Sequence, residues 1–291
     1  MSVVPADLDS STLRIGSAGH RDLLAQFFRD THVEYLPERM HWPALSAEEI
    51  RRLRALPFWQ EAVSTEAVTS ATVAAAVALE THPGVRAAIA LQGFEEQRHA
   101  RLLKALTTHY GIPVEEPPPF VPRSLERDFL FAGFGECFDS FFAFGLFALA
   151  RESGYFPPAL VQLFEPVMQE EARHILFFVN WVKARRAQLP WWKRPALRLR
   201  CAWIILEQLA SRVKTARAMS REAGPHADTS AENFTLTAHQ DLAPPVTLHG
   251  LLEKCFCENE RRMSRYDVRL TRPRLVPGLA RVLYRLLPAS I

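Results

Sequence analysis

The five-residue pattern Glu-Glu-x-Arg-His occurs twice, at residues 95–99 and 170–174. From this composition the pattern is expected on the order of 0.006 times by chance. Two copies therefore reflect a shared requirement. In each copy the second Glu and the His are three residues apart: Glu96 with His99, and Glu171 with His174. On a helix that spacing puts both side chains on one face, where a carboxylate and an imidazole can grip one cation together. A third Glu-x-x-His pair, Glu38 and His41, lies between Pro37 and Pro43, where no long helix can form, and is the chance match.

Each motif falls in the second helix of a predicted hairpin. Strand-like alternation is nearly absent and glycine is scarce, 12 in 291 residues, so the fold class read from the sequence is all-α. Ser46 and Glu49 form a capping box for a short helix ending near Pro57. A long helix is predicted over about 58–80, a turn at Thr81-His82-Pro83-Gly84, and a second helix over about 85–110. Residues 111–124 contain five prolines, a stiff segment able to carry the chain from one end of a bundle to the other. Ser124 is the expected cap of a third helix reaching Ser153, with Glu126 and Asp128 in its first turn. After a turn at 154–158 a fourth helix runs to about 187. Pro166 either kinks that helix close to Glu171 or marks where its regular part starts. Two helix pairs joined by a long crossover are one connectivity of four-helix bundles. The expected organisation is a helical N-terminal segment (1–57), a bundle (58–187) and a basic helical extension packed on it (188–291). Helices are expected in that extension at about 196–222, 247–266 and 273–287, with a polar stretch over 224–245.

A pair of metal ions also needs one carboxylate from each remaining helix. Glu136 lies deep in the third, and folding about the 154–158 turn brings it level with Glu171. In the first helix Glu66 pairs with Glu96 about the turn near residue 81, with Glu61 as the fallback.

With these residues the chain resembles the ferritin-like di-iron carboxylate superfamily over about residues 58–187, a group that includes bacterioferritins, rubrerythrins, acyl-carrier-protein desaturases and bacterial multicomponent hydroxylases. The resemblance implies two iron ions, or manganese or a mixed pair, held by Glu66, Glu96, His99, Glu136, Glu171 and His174. It further implies that Glu95 supports His174 and Glu170 supports His99, with Arg98 and Arg173 neutralising the excess carboxylate. The competing interpretation of Glu95 and Glu170 is a surface ion pair.

Several branches of that superfamily fit poorly. A ferritin subunit leaves the extra C-terminal residues without a role. No C-x-x-C pair supplies a rubredoxin-like iron, and Leu103 and Phe178 stand where a radical-bearing tyrosine would follow each motif histidine. The expected activity is a dioxygen-dependent hydroxylation, N-oxygenation or desaturation of a small apolar organic substrate, with electrons from a separate ferredoxin or reductase. Two other classes stay open: a ferroxidase or peroxide-handling metal protein, and a metal-free helical docking protein. Eight phenylalanines between Phe129 and Phe147, with Gly133, Gly135 and Gly145, either shape an apolar pocket at the metals or simply form an aromatic core. Ser140, one turn after Glu136, is either a candidate proton relay or a serine bonded to its own helix.

Charge is unevenly distributed. Residues 1–171 hold 14 Lys/Arg against 23 Asp/Glu, whereas residues 172–291 hold 21 against 9. Trp191, Trp192, Lys193, Arg194, Arg198, Arg200 and Trp203 mix cations with interfacial aromatics, and Arg274, Arg281 and Arg285 lie among Leu and Val near the end. An acidic acyl carrier protein or an anionic membrane is the expected partner, or else a solvated face or a homodimer contact. Nothing resembles a nucleic-acid-reading module. Four cysteines are too few for a disulfide framework. The start MSVVPADLDSS has no export-signal pattern, and the apolar run 129–150 is interrupted by Glu136 and Asp139. A cytoplasmic protein, peripheral to a membrane if the basic face binds one, is expected.

Overall fold

The computed structural model describes residues 13–56, 58–222 and 247–286, with side chains described in 215–222 for none. The start MSVVPADLDSS, Pro57 and the polar stretch 224–245 lie outside these. The described residues are helical, with no strand among them. The long helices are α3 (Trp59–Ala76), α4 (Pro83–His109), α5 (Leu125–Ser153), α7 (Glu165–Gln188) and α8 (Arg194–Glu222). Shorter ones are α1 (Ala18–Asp30), α2 (Ala47–Ala55), α6 (Pro158–Gln162), α9 (Leu248–Met263) and α10 (Leu275–Leu286).

Local chemistry sets most boundaries. The Ser46 Oγ accepts from the Glu49 N–H at 3.2 Å while Glu49 returns to the Ser46 N–H at 2.7 Å, the reciprocal box read from the sequence. At α5 the capping differs from expectation. Ser124 occupies the cap position, but its side chain makes no cap bond. Asp128 accepts instead from the backbone N–H groups of Arg123 and Ser124, both at 2.9 Å. Gly154 ends α5 with φ +64, a left-handed conformation that costs glycine least. Pro166 starts a helix: the chain breaks at Leu163–Phe164, and the proline takes the first turn of α7, where its missing N–H has no partner to lose.

α3 packs on α4, α5 on α7, and α3 on α5, with α4 meeting α7 at the centre. α1 covers α4 and α7, α8 and α9 lie against α5 and α7, and α10 lies against α5 and α9. α4 and α7 run antiparallel, since Glu96 meets His174 while His99 meets Glu170. The crossover 111–124 changes ends. Glu115 exchanges hydrogen bonds with Gln60 at the start of α3, whereas Glu126 at the start of α5 meets Arg185 near the end of α7. The main core runs through α1, α4, α5, α7, α8 and α9, and a smaller one, around Leu53, Trp59, Leu106 and Leu160, closes one end. The apolar stretches of α3 and α5 are long enough to cross a membrane by composition, and that of α5 is 61% buried against its neighbours.

Candidate metal centre

α4 and α7 meet through their two motifs. His174 Nδ1 lies 2.8 Å from Glu96 Oε1. His99 Nδ1 lies 3.2 Å from Glu171 Oε1, 3.7 Å from Glu96 Oε2 and 3.8 Å from Glu66 Oε2. Neither Nδ1 makes a hydrogen bond, nor does either oxygen of Glu136, and all four atoms are buried. Buried polar atoms are rarely orphaned in this way. Donors 3–4 Å apart without aligned hydrogens are what neighbouring ligands around one cation look like, given metal–ligand bonds of about 2.0–2.2 Å. Two sets of three result, Glu66–Glu96–His99 and Glu96–Glu136–His174, each with ligand atoms within 4.8 Å, and Glu96 belongs to both. The residues present fit a metal.

Electrostatics agrees with the geometry. Burial, then the charges of Glu96 and Glu171, push Glu136 well above the ordinary carboxylate range. Glu66 is raised likewise by burial and by the same two carboxylates, against the pull of His99. Burial alone would lower His99 and His174, yet the surrounding carboxylates outweigh it and raise both. Such a cluster is short of positive charge, which a bound cation supplies.

The outer layer is crossed between the hairpins. The His174 Nε2–H donates to Glu95 Oε2 at 2.8 Å, and the His99 Nε2–H donates to Glu170 Oε2 at 2.8 Å. Arg173 donates to Glu95 at 3.0 Å, and Arg98 donates to Glu170. Glu95, Glu170, Arg98 and Arg173 are all at most 1% exposed, so this is no surface ion pair. Burial opposes ionisation of Glu95, but His174, Arg173 and His32 hold its pKa at about 2. His32, Glu95 and Glu170 also form a set of three within 4.8 Å, but both carboxylates there are engaged by Arg and His donors.

The sequence did not point to the residues that close this layer. His32 Nδ1 bonds Glu95, and the Tyr35 hydroxyl donates to Glu170 Oε2 at 3.0 Å. The Arg98 guanidinium lies 3.9 Å from the Tyr35 ring centre, and that of Arg173 lies 4.4 Å from Phe28. All three come from α1 and the segment after it, where no motif marks them. The amphipathic run Leu23-Leu24 with Phe27-Phe28 was the available signal, for α1 itself.

The remaining candidates sort clearly. Glu61 is exposed and Glu66 lies at the cluster. Ser140 is not bonded to its own helix: its Oγ donates to Glu171 Oε2 at 3.1 Å. The glycines of α5 make no empty pocket. A Cβ at Gly133 would collide with the Phe178 ring, one at Gly145 with Cys255, and one at Gly135 would come within 3.1 Å of Gln208. Those notches are filled by α7, α9 and α8, and Phe129, Phe138, Phe141 and Phe144 belong to the core. An open groove lies elsewhere, between α3, α4 and the crossover, with a volume of about 350 Å³. Its lining includes Val63, Ala67 and Ala100, on or beside the helix faces that carry Glu66 and Glu96. Glu38 and His41 are both exposed. No family model, curated protein or solved structure matches the chain.

Proposed function

We propose that residues 58–187 are a ferritin-like four-helix bundle holding two metal ions, iron or manganese, and that the protein oxidises a small organic substrate with dioxygen. The observation that carries this is the pair of buried histidines, each with an unbonded Nδ1 turned to the carboxylate cluster and an Nε2–H fixed by an outer glutamate. That tautomer leaves Nδ1 with its lone pair free for a cation. Glu66 with His99 would hold one ion and Glu136 with His174 the other, and Glu96, common to both sets, and Glu171 would complete the donor set. With every carboxyl ionised and the histidines neutral, as metal ligation requires, the six carboxylates would exceed the two guanidiniums by four charges, which two divalent cations would cancel.

When bound, and reduced by a separate ferredoxin or reductase, the ions would supply the electrons that activate dioxygen. The chain's own groups do the rest. Glu95 and Glu170 keep the histidines oriented, and Arg98 and Arg173 hold those glutamates ionised. Ser140, bonded to Glu171, is positioned to pass a proton at that carboxylate. α1 shuts water out from the histidine side, while the partly exposed Glu66 and Glu171 lie on the side left for substrate and oxygen. The groove beside Glu66, apolar at Val63 and Ala67 and rimmed by Arg101, Lys104 and Glu116, would receive an apolar molecule with a polar end. The filled glycine notches of α5 favour a second reading, in which the centre oxidises iron or removes peroxide without an organic substrate.

Reconstitution with ferrous iron tests both. About two equivalents should bind per chain, falling below one in the His99→Ala/His174→Ala double variant. Oxygen uptake that accelerates with an organic substrate supports the oxygenase. Slow uptake indifferent to every organic compound, with mineral formation, supports the second reading. Less than one equivalent bound by the unaltered protein would leave a metal-free docking protein.

A further inference from the structure

The side of α8 turned away from the core exposes a row of large apolar residues, with cations among them. Leu199, Trp203, Leu206 and Val213 recur at helical spacing and are 72%, 63%, 58% and 48% exposed. The opposite face joins the core through Leu197 and Ile204, and beside them Gln208 donates to the Phe131 carbonyl at 2.8 Å and Arg212 to that of Gly135 at 3.3 Å. Large apolar residues thus lie on the outward as well as the inward side, unlike the single apolar stripe of a usual surface helix. The single 3-10 turn before α8 adds Trp191 and Trp192, 75% and 61% exposed. Isolated exposed apolar residues are ordinary, but a continuous stripe of this size marks an interaction surface.

Charge selects the partner. Arg186, Lys193 and Arg198 are exposed and make no ion pair among the described residues. No acidic residue occurs between Glu171 and Glu207, and Glu207 is engaged by Arg127 at 3.0 Å and by the Trp203 indole N–H at 2.6 Å. A second copy of this chain would set the same cations against each other. An anionic bilayer accepts both parts of the pattern, with indoles at headgroup level and cations on the phosphates. We propose that the Trp191–Val213 face docks on an anionic phospholipid membrane. This does not depend on the metal centre, whose metal content is a separate readout.

The full-length protein is sedimented with vesicles of phosphatidylglycerol or of phosphatidylcholine. It should sediment with the first, be released by salt, and stay in solution with the second. Brominated phosphatidylglycerol should quench its tryptophan fluorescence. Lys193→Gln with Arg198→Gln should weaken binding on the order of thirtyfold, at about one kcal/mol for each cation near the surface. Trp191→Ser with Trp192→Ser should weaken it too, and no hydrogen bond of these indoles is lost. Unchanged melting and metal content show that each variant is folded. Failure to sediment with phosphatidylglycerol, or equal binding by the cation variant, would overturn the proposal. So would a dimer dissolved by Leu206→Ser, or capture by an acidic carrier protein, with vesicles left unbound.

Discussion

Glu95 accepts from His174, Arg173 and His32 with no solvent contact, so its charge matters more than its shape. Glu95→Gln keeps the shape and leaves the Arg173 guanidinium buried without its anion. The cost should be about 3–5 kcal/mol of stability, read by denaturant titration, with metal affinity reduced about 10- to 100-fold. Because Glu95 bonds His174 and not His99, the loss should fall first on the site proposed at Glu136 and His174. Metal titration should then show one site retained and one weakened. Much at this scale was legible in the sequence. The motif spacing picks out Glu96, His99, Glu171 and His174, and hairpin folding chooses Glu66 over Glu61, all of which the structure brings to one cluster. Partners set by packing between helices were not legible. The Ser140 bond to Glu171 depends on how α5 and α7 lie together, and His32 and Tyr35 are reached through a segment with no motif of its own.

Helices α5, α7 and α9 are held together both by steric fit and by charge. Gly133 gives room to the Phe178 ring, so Gly133→Ala should cost about 1–3 kcal/mol by overpacking. Adding Phe178→Leu should return part of that, a coupling measurable in a double-mutant cycle. α9 is tied down by Glu258, which meets Arg151 of α5 at 3.0 Å and Arg261 at 2.6 Å, while Arg262 reaches Glu165 of α7 at 3.0 Å. Burial would raise the Glu258 pKa, but Arg261 and Arg151 outweigh it and hold it below the ordinary 4.5. A carboxyl lowered in the folded state adds stability above its unfolded pKa, and that stability is lost as pH falls through the folded value. The melting temperature of the native protein should therefore exceed that of Glu258→Gln near neutrality, and the gap should narrow below pH 4.5. Element types and rough limits were readable from periodicity and caps, including Ser46, Gly154 and the proline-rich crossover. The break before Pro166 was readable only as a choice between a kink and a start, because a proline fits the first turn of a helix as well as it disrupts an interior.

At the scale of the molecule, the carboxylate cluster draws on four helices, and burial with the neighbouring carboxylates raises Glu66 and Glu136 within it. Metal that binds the folded chain alone should stabilise all of it: at 100 times the dissociation constant, by about 2.7 kcal/mol. Thermal melting with added metal should show the rise, and a chelator should reverse it. The charge split between residues 1–171 and 172–291 was plain in the sequence, but its geometry was not, since only packing shows which face of α8 is turned outward. The exchange between hairpins has a further consequence. Each hairpin supplies a histidine whose orientation is set by the other, so neither is a finished half. Severing the chain within 111–124 would yield fragments that are inert alone and complementary when mixed. The exchange is also the one a two-fold axis would generate, so two copies of a single ancestral hairpin would already contain both ligand pairs and both their supports.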